Sequence, residues 1–217
     1  MITPLNILSL ILAYLIGSIP TAVWIGKIFY NLDVREHGSG NAGATNTFRV
    51  LGKAAGIPVL IFDILKGILA ISLATTLGDY IKGGDSLINL KIALGVSAFL
   101  GHLYPIYVGF RGGKGVATML GIIISLNYPS ALLAVAVFII VFKISKYVSL
   151  SAMIAAYSYP VFILVIYKSN SPTMVVFSLL VAVIITITHQ KNIERLFNNK
   201  ESKMSLFKPK LQTTNIE

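Results

Sequence analysis

Nearly every side chain that could do chemistry in this sequence falls in three short polar stretches, at residues 33–53, 101–118 and 188–196. The first reads Gly38-Ser39-Gly40-Asn41-Ala42-Gly43-Ala44-Thr45-Asn46-Thr47-Phe48-Arg49. Its glycines permit positive φ angles and close approach of backbone N–H groups to an anion. Ser39, Asn41, Thr45 and Asn46 supply further hydrogen bonds, and Arg49 adds a planar, permanent charge suited to phosphate. The run matches G-x-G-x-x-G, but an apolar segment of membrane type precedes it instead of a strand, so a dinucleotide fold is rejected. An ordinary flexible loop is the alternative.

The second stretch reads Gly101-His102-Leu103-Tyr104-Pro105 and then Phe110-Arg111-Gly112-Gly113-Lys114-Gly115-Val116-Ala117-Thr118. In a nucleotide P-loop the first Gly and the Ser or Thr after the Lys would stand where Val108 and Gly115 stand, so this is not one. The shared physics remains: unhindered amides at Gly112 and Gly113, a lysine, and the start of a helix near Val116 make an anion cradle. A basic juxtamembrane turn is the alternative. The third stretch, Thr188-His189-Gln190-Lys191-Asn192-Ile193-Glu194-Arg195-Leu196, puts His189 and Asn192 on one face if its helix continues. Taken alone, His189 reads as an interfacial residue; His102 reads as a histidine bonded to a carbonyl, and His37 as solvated.

Asp63 and Lys66 stand three apart inside an apolar run, where each bare charge costs roughly 2.5 to 3.5 kcal/mol. They are expected to pair. Mutual neutralisation and the lining of a polar cavity both remain open.

The elements that must hold these stretches are membrane helices. Of the 217 residues 55% are hydrophobic and 12% charged, and the mean hydropathy is +0.80, values a soluble domain does not reach. The net charge of +10 would suggest nucleic acid in a soluble protein. Here the bases cluster beside apolar runs, which argues against that partner. There is no cysteine, so disulfides, thiolate nucleophiles and Cys-held metals are excluded, and three histidines make a His-rich metal site a poor expectation.

Apolar runs at 5–25, 54–77, 89–108, 148–167 and 172–188 are each long enough to cross about 30 Å of hydrocarbon. The first lacks a basic n-region and a cleavage site, so it reads as an anchor and not a signal peptide. Residues 115–142 are one long helix or two short ones broken at Asn127-Tyr128-Pro129-Ser130. With two, one side carries Lys27, Arg35, Arg49, Lys53, Arg111, Lys114, Lys143, Lys146 and the six bases after His189, while the other carries Lys82, Lys91 and Lys168. The positive-inside rule then places the N-terminus outside and the C-terminus in the cytoplasm. With a single helix the split points weakly the other way. The expectation is therefore an all-α polytopic protein of seven transmembrane helices. Its fourth helix, at about 18 Å, is too short to cross alone and starts below the interface, drawing the preceding loop inward. Residues 1–196 are expected to form one transmembrane domain and 197–217 a basic, flexible cytoplasmic tail whose bases rest on anionic lipid.

With these residues on the page, the sequence resembles the bacterial acyl-phosphate:glycerol-3-phosphate acyltransferase family of integral membrane enzymes. The likeness rests on Ser-Gly-Asn-Ala-Gly-Ala-Thr-Asn-Thr-x-Arg at 39–49, Gly-His-x-x-Pro at 101–105 leading into Gly-Gly-Lys-Gly-Val-Ala-Thr at 112–118, and His-x-x-Asn-Ile-x-Arg-Leu at 189–196. Gly17-Ser18-Ile19-Pro20 and Asp63-x-x-Lys66-Gly67 extend it, so it spans about residues 14–196. The sequence departs at Ala42, where the family favours Pro, and at Thr188, where a basic residue is common; neither is expected to carry chemistry.

The resemblance implies transfer of a fatty acyl group from acyl phosphate to the 1-hydroxyl of glycerol 3-phosphate, giving lysophosphatidic acid and inorganic phosphate for phospholipid synthesis. It implies no cofactor and no metal, a multi-pass place in the cell (inner) membrane, and a site facing the cytoplasm. The partners expected are the two substrates and membrane lipid, with no nucleic acid and no obligate protein partner. Arg49 and Lys114 are expected to neutralise phosphates, with Ser39, Asn41, Gly43, Thr45, Asn46, Gly112, Gly113 and His102 around the substrates. His189 and Asn192 are expected to position glycerol 3-phosphate, with either His189 or a phosphate oxygen as the base. Ser39 as an acylated nucleophile is disfavoured because no base is tied to it by spacing. The rival class is an organic-phosphate transporter or channel, which would move solute unchanged between two compartments.

Overall fold

The computed structural model describes residues 3–77 and 85–204, and across them every regular element is helical. Lys82, Lys208 and Lys210, used in the charge count, lie outside the described residues, as does the tail from 205 to 217. Helix α1 (Pro4–Gly17) starts behind Thr3, whose side chain accepts from the Asn6 amide, with Pro4 at the first helical position. The expected span over 5–25 is bent into two helices. Pro20 has no N–H to continue the ladder and pushes Ile19 out of the helical region, so α2 (Thr21–Tyr30) leaves at 40° to α1.

Short α3 (Ala44–Leu51) lies between Gly43 and Gly52 and precedes α4 (Lys53–Thr76). Then come α5 (Asp85–Leu103), α6 (Val116–Leu126), α7 (Tyr128–Ser145), α8 (Val148–Val161), α9 (Pro172–Thr188) and α10 (Gln190–Phe197). One π-helical turn, Phe162–Ile166, prolongs α8 just after Pro160. Four of these helices are long and apolar enough to cross a membrane, and the bent pairs α1–α2 and α9–α10 raise the number to six. The remaining crossing of the expected seven falls on α6, whose 11 residues span only about 16 Å.

The ambiguous stretch is broken where its sequence suggested. Asn127 leaves the helical region at φ −153° and its side chain accepts from the Ser130 amide, starting α7 afresh. Both ends of the α6–α7 pair return to one side of the molecule. Lys114 bonds to Asn192, and the Lys146 carbonyl accepts from the Met204 amide at 2.9 Å. A continuous helix over 115–142 would hold those ends about 40 Å apart.

Helix α6 starts deep. A Cβ on Gly67, 14 residues beyond Lys53 and so about 21 Å along α4, would collide with the Thr118 carbonyl in the first turn of α6. Gly121 packs in return against the Ile64 carbonyl, so α4 and α6 cross backbone to backbone. The same device joins α1 to α5, where Gly17 meets Ala98 and Gly101 meets the Tyr14 carbonyl. Large buried side chains, among them Ile122, Tyr159, Ile163 and Val181, fill the space between the later helices. The last residues of the chain linking α5 to α6, 112–115, are thereby held half-buried or buried next to the other polar connections, while most of 106–111 is exposed.

Candidate active site

Four connecting segments meet at this end of the bundle. The Arg35 guanidinium is forked onto Asp33 (2.7 to 3.3 Å) and donates from Nη1 to the Val108 carbonyl at 2.8 Å, tying the segment after α2 to that after α5. This fork holds the Asp33 carboxyl well below the usual range. Lys114 donates to Asn192 Oδ1. The Asn192 amide nitrogen donates to Glu201 Oε1 at 2.7 Å, Ser149 Oγ donates to the same oxygen at 2.7 Å, and Arg195 Nε donates to Oε2 at 2.8 Å.

The electrostatics of this cluster favour an anion. Burial lowers Lys114 to about 8, and the nearby cations Arg195 and Arg49 push the same way against Glu201. A phosphate entering beside them would relieve that repulsion. The Glu201 side chain is largely covered, which raises a carboxyl, but the hydrogen bonds from Arg195, Ser149 and Asn192 outweigh this and hold it below its ordinary value. His189 is buried and its Nδ1 lies 2.7 Å from the Ile185 carbonyl. Because a carbonyl oxygen only accepts, Nδ1 carries the proton and Nε2 keeps its lone pair. Burial, followed by Lys114, lowers this imidazole to about 4, so it is neutral at physiological pH and suited to accept a hydrogen bond from a hydroxyl.

His189 and Asn192 do not share a continuing helix as the spacing assumed. The side chains of Thr188 and His189 both turn back onto the Ile185 carbonyl, and α10 leaves α9 at 63°. Both residues are nevertheless buried beside Lys114.

Other expected residues sit differently. The Gly112 and Gly113 amides, expected to face a phosphate, donate instead to the Leu103 and His102 carbonyls at 3.1 and 3.2 Å and close the end of α5. Beyond them, Gly115 (φ +78°) stands over the Phe99 ring and α6 opens without a side-chain cap, as α3 does behind Gly43. Asn46 is buried with its carboxamide turned onto its own loop. Oδ1 accepts from the Ser39 amide and hydroxyl, and Nδ2 donates to the Val34 and His37 carbonyls. Ser39 is exposed, and its hydroxyl faces an amide oxygen with no basicity to activate it. Asn41 and Thr45 are half-buried near the start of α3. His102 lies underneath, buried behind Gly113.

Glu201 and Ser149 escaped the sequence reading, the first because it lies in a stretch that reads as a frayed tail. The only hint is a carboxylate in a run otherwise dominated by bases. Among the described residues no group of three His, Asp or Glu gathers to hold a metal ion.

An apolar cleft of about 210 Å³ runs between α5 and α9, over Met119 of α6. It ends at Tyr104 and at Thr188, the neighbour of His189, while Phe99 on its wall lies under Gly115. A polar cluster thus adjoins a greasy slot.

The family model described as glycerol-3-phosphate acyltransferase matches residues 7–199. Glycerol-3-phosphate acyltransferase 2 of Bacillus anthracis is 43% identical over 200 residues, covering 92% of this chain and 100% of its own. The Salinibacter ruber glycerol-3-phosphate acyltransferase is 39% identical over 212 residues, with 92% and 93% covered. Among solved structures, the glycerol 3-phosphate form of PlsY (YgiH), an integral membrane glycerol 3-phosphate acyltransferase, superposes with a TM-score of 0.82. It is 32% identical, with 94% of this chain and 99% of that one covered. The lysophosphatidic acid form gives a TM-score of 0.77 at the same identity, with 93% and 96% covered. A sequence match over most of the length and a shared helical arrangement agree: the chain belongs to the glycerol-3-phosphate acyltransferase family.

Proposed function

We propose that the protein transfers a fatty acyl group from acyl phosphate to the sn-1 hydroxyl of glycerol 3-phosphate, releasing inorganic phosphate and lysophosphatidic acid. The observation that carries this reading is the meeting of Lys114, Asn192 and His189 at the end of the apolar cleft. Two anions and one acyl tail need this combination. Phosphate groups lie against Lys114 and Arg49, with Arg195 behind, and the tail lies in the cleft.

In the reaction the glycerol hydroxyl oxygen attacks the acyl carbonyl carbon, the ester bond forms and the carbon–oxygen bond to phosphate breaks. Phosphate leaves with the electron pair of that bond. The neutral imidazole of His189 accepts a hydrogen bond from the hydroxyl through Nε2 and orients it. The proton passes to the departing phosphate, which gains basicity as it leaves. Alignment of the two substrates supplies the largest part of the acceleration, about 7 to 11 kcal/mol at its best. Lys114 and the uncapped first turn of α6 stabilise the developing oxyanion. Ser39 supports its loop through Asn46 and carries no acyl group. The site faces the cytoplasm of the inner membrane, on the charge asymmetry of the connecting segments.

The deciding experiment is one assay of purified protein in detergent micelles, with glycerol 3-phosphate and either acyl phosphate or acyl-CoA. Lysophosphatidic acid and phosphate are expected in equal amounts from acyl phosphate alone. Product from acyl-CoA only, or none from either donor, refutes the reading. Because micelles offer no second compartment, product formation also rules out an obligate transporter.

A further inference from the structure

Asp63 and Lys66 are nearly sealed from solvent, at 2% and 4% exposure. Lys66 Nζ is 2.8 Å from Asp63 Oδ1 and donates to the Ile19 carbonyl at 3.1 Å, at the corner between α1 and α2. Thr21, the first residue of α2, donates its hydroxyl to Asp63 Oδ1 at 3.4 Å. From the other side His102 brings Nδ1 to 3.8 Å of the same oxygen. A cavity of about 10 Å³, the size one water needs, is lined by this group together with Ala42, Pro105, Gly112 and Gly113. The ion pair therefore lies directly beneath two of the polar segments.

Its contacts reach both. Through Thr21 and Ile19 it fixes the corner from which α2 leads to residues 31–43. Through His102, whose carbonyl accepts from the Gly113 amide and whose ring leaves Gly113 no room for a Cβ, it fixes the turn that carries Lys114. Elimination of mutual charge explains a pair; it does not explain two further polar side chains, Thr21 and His102, gathered on the same oxygen beside the glycine turn at Gly112 and Gly113. We infer that Asp63, Lys66 and His102 are positioning residues, a buried keystone that sets the Lys114 turn against the loop bearing Ser39 and Asn46.

This rests on the proposed acyl transfer for its kinetic consequence, and its structural consequence can be read without any activity. The sequence has no cysteine, so Glu36→Cys and Phe110→Cys, both at exposed positions, accept a pair of spin labels that report the distance between the two segments. The parent is expected to give one narrow distance distribution. Asp63→Leu with Lys66→Met, which removes both charges together and leaves neither unpaired, is expected to broaden it. Without the labels the same double variant should lower kcat/KM for glycerol 3-phosphate by about 10- to 100-fold, as misplaced reacting groups do. If the double variant is not recovered folded, His102→Leu, which leaves Asp63 and Lys66 in place, is measured in its place. His102→Asn, which keeps a polar side chain, should restore part of the loss. An unchanged distribution or unchanged kinetics overturns the inference. Inactivity of the parent itself refutes only the acyltransferase reading, and the distance measurement still decides the keystone.

Discussion

In the proposed reaction phosphate recognition turns on Lys114, which is held among other cations with its amine lowered to about 8. Lys114→Ala should lower kcat/KM by at least about 100-fold while leaving the protein inserted and folded, the scale of loss seen when one preorganised donor is removed. A pH series checks the same assignment. Bound phosphate stabilises the charged amine and raises its value in the complex, so KM for glycerol 3-phosphate should climb as pH rises through about 8, by up to tenfold per unit. A KM that stays flat to pH 9 contradicts this role. Glu201 acts one step back: it takes the Asn192 amide nitrogen and so leaves the Asn192 oxygen turned to Lys114. Glu201→Gln weakens one ionic partner and permits the Asn192 amide to turn over. Catalytic efficiency is expected to fall by about tenfold, in line with loss of one charge-assisted hydrogen bond of about 1.5 kcal/mol. Recovery of parental rates in that variant would show that Asn192 is held by Lys114 alone.

At the scale of helices, the part legible in the sequence was the part written locally. The run at 172–188 is α9 to the residue, and 54–77 differs from α4 by one position at each end. Asn127 with Pro129 broke the ambiguous stretch as turn chemistry predicts. What stayed hidden depends on partners far along the chain. Glu201 is anchored by Ser149, 52 residues away, and no local pattern in a Lys- and Asn-rich tail announces such a bond. The Gly112 and Gly113 amides read as anion donors because a sequence does not show that α5 ends with open carbonyls beside them. The 63° turn at His189 arose from side chains competing for one carbonyl, which spacing alone does not reveal. The cleft between α5 and α9 was also invisible, since apolar wall and apolar core look alike in composition. Its inner part is bordered by Val96 and Leu180, about 12 Å along each helix from Tyr104 and Thr188. Leu180→Trp should therefore move donor preference towards shorter acyl chains with little change in KM for glycerol 3-phosphate. An unaltered chain-length profile would place the tail elsewhere.

Among the described residues four polar connections gather at one end, and the opposite end carries the links at Asn127 and at 167–171. If that gathered end faces the cytoplasm, single cysteines at the exposed positions Glu36 and Ser202 will react with an impermeant maleimide only after cells are opened. A cysteine at exposed Asn170 will react in intact cells. The reverse pattern would invert the orientation. The cleft has a different meaning at this scale. Val96, Leu100, Tyr104, Leu180 and Ile187 line it and are also 38 to 56% exposed on the outside of the bundle, which in a bilayer is the lipid face. In the proposed reaction a slot open along its flank lets a tail slip in and out sideways, so the donor and the single-chain product never have to leave hydrocarbon. Turnover then obeys two-dimensional chemistry: its rate follows the mole fraction of donor among the lipids. Diluting that donor with inert phospholipid, at constant amount per millilitre, should slow the enzyme as surely as removing it.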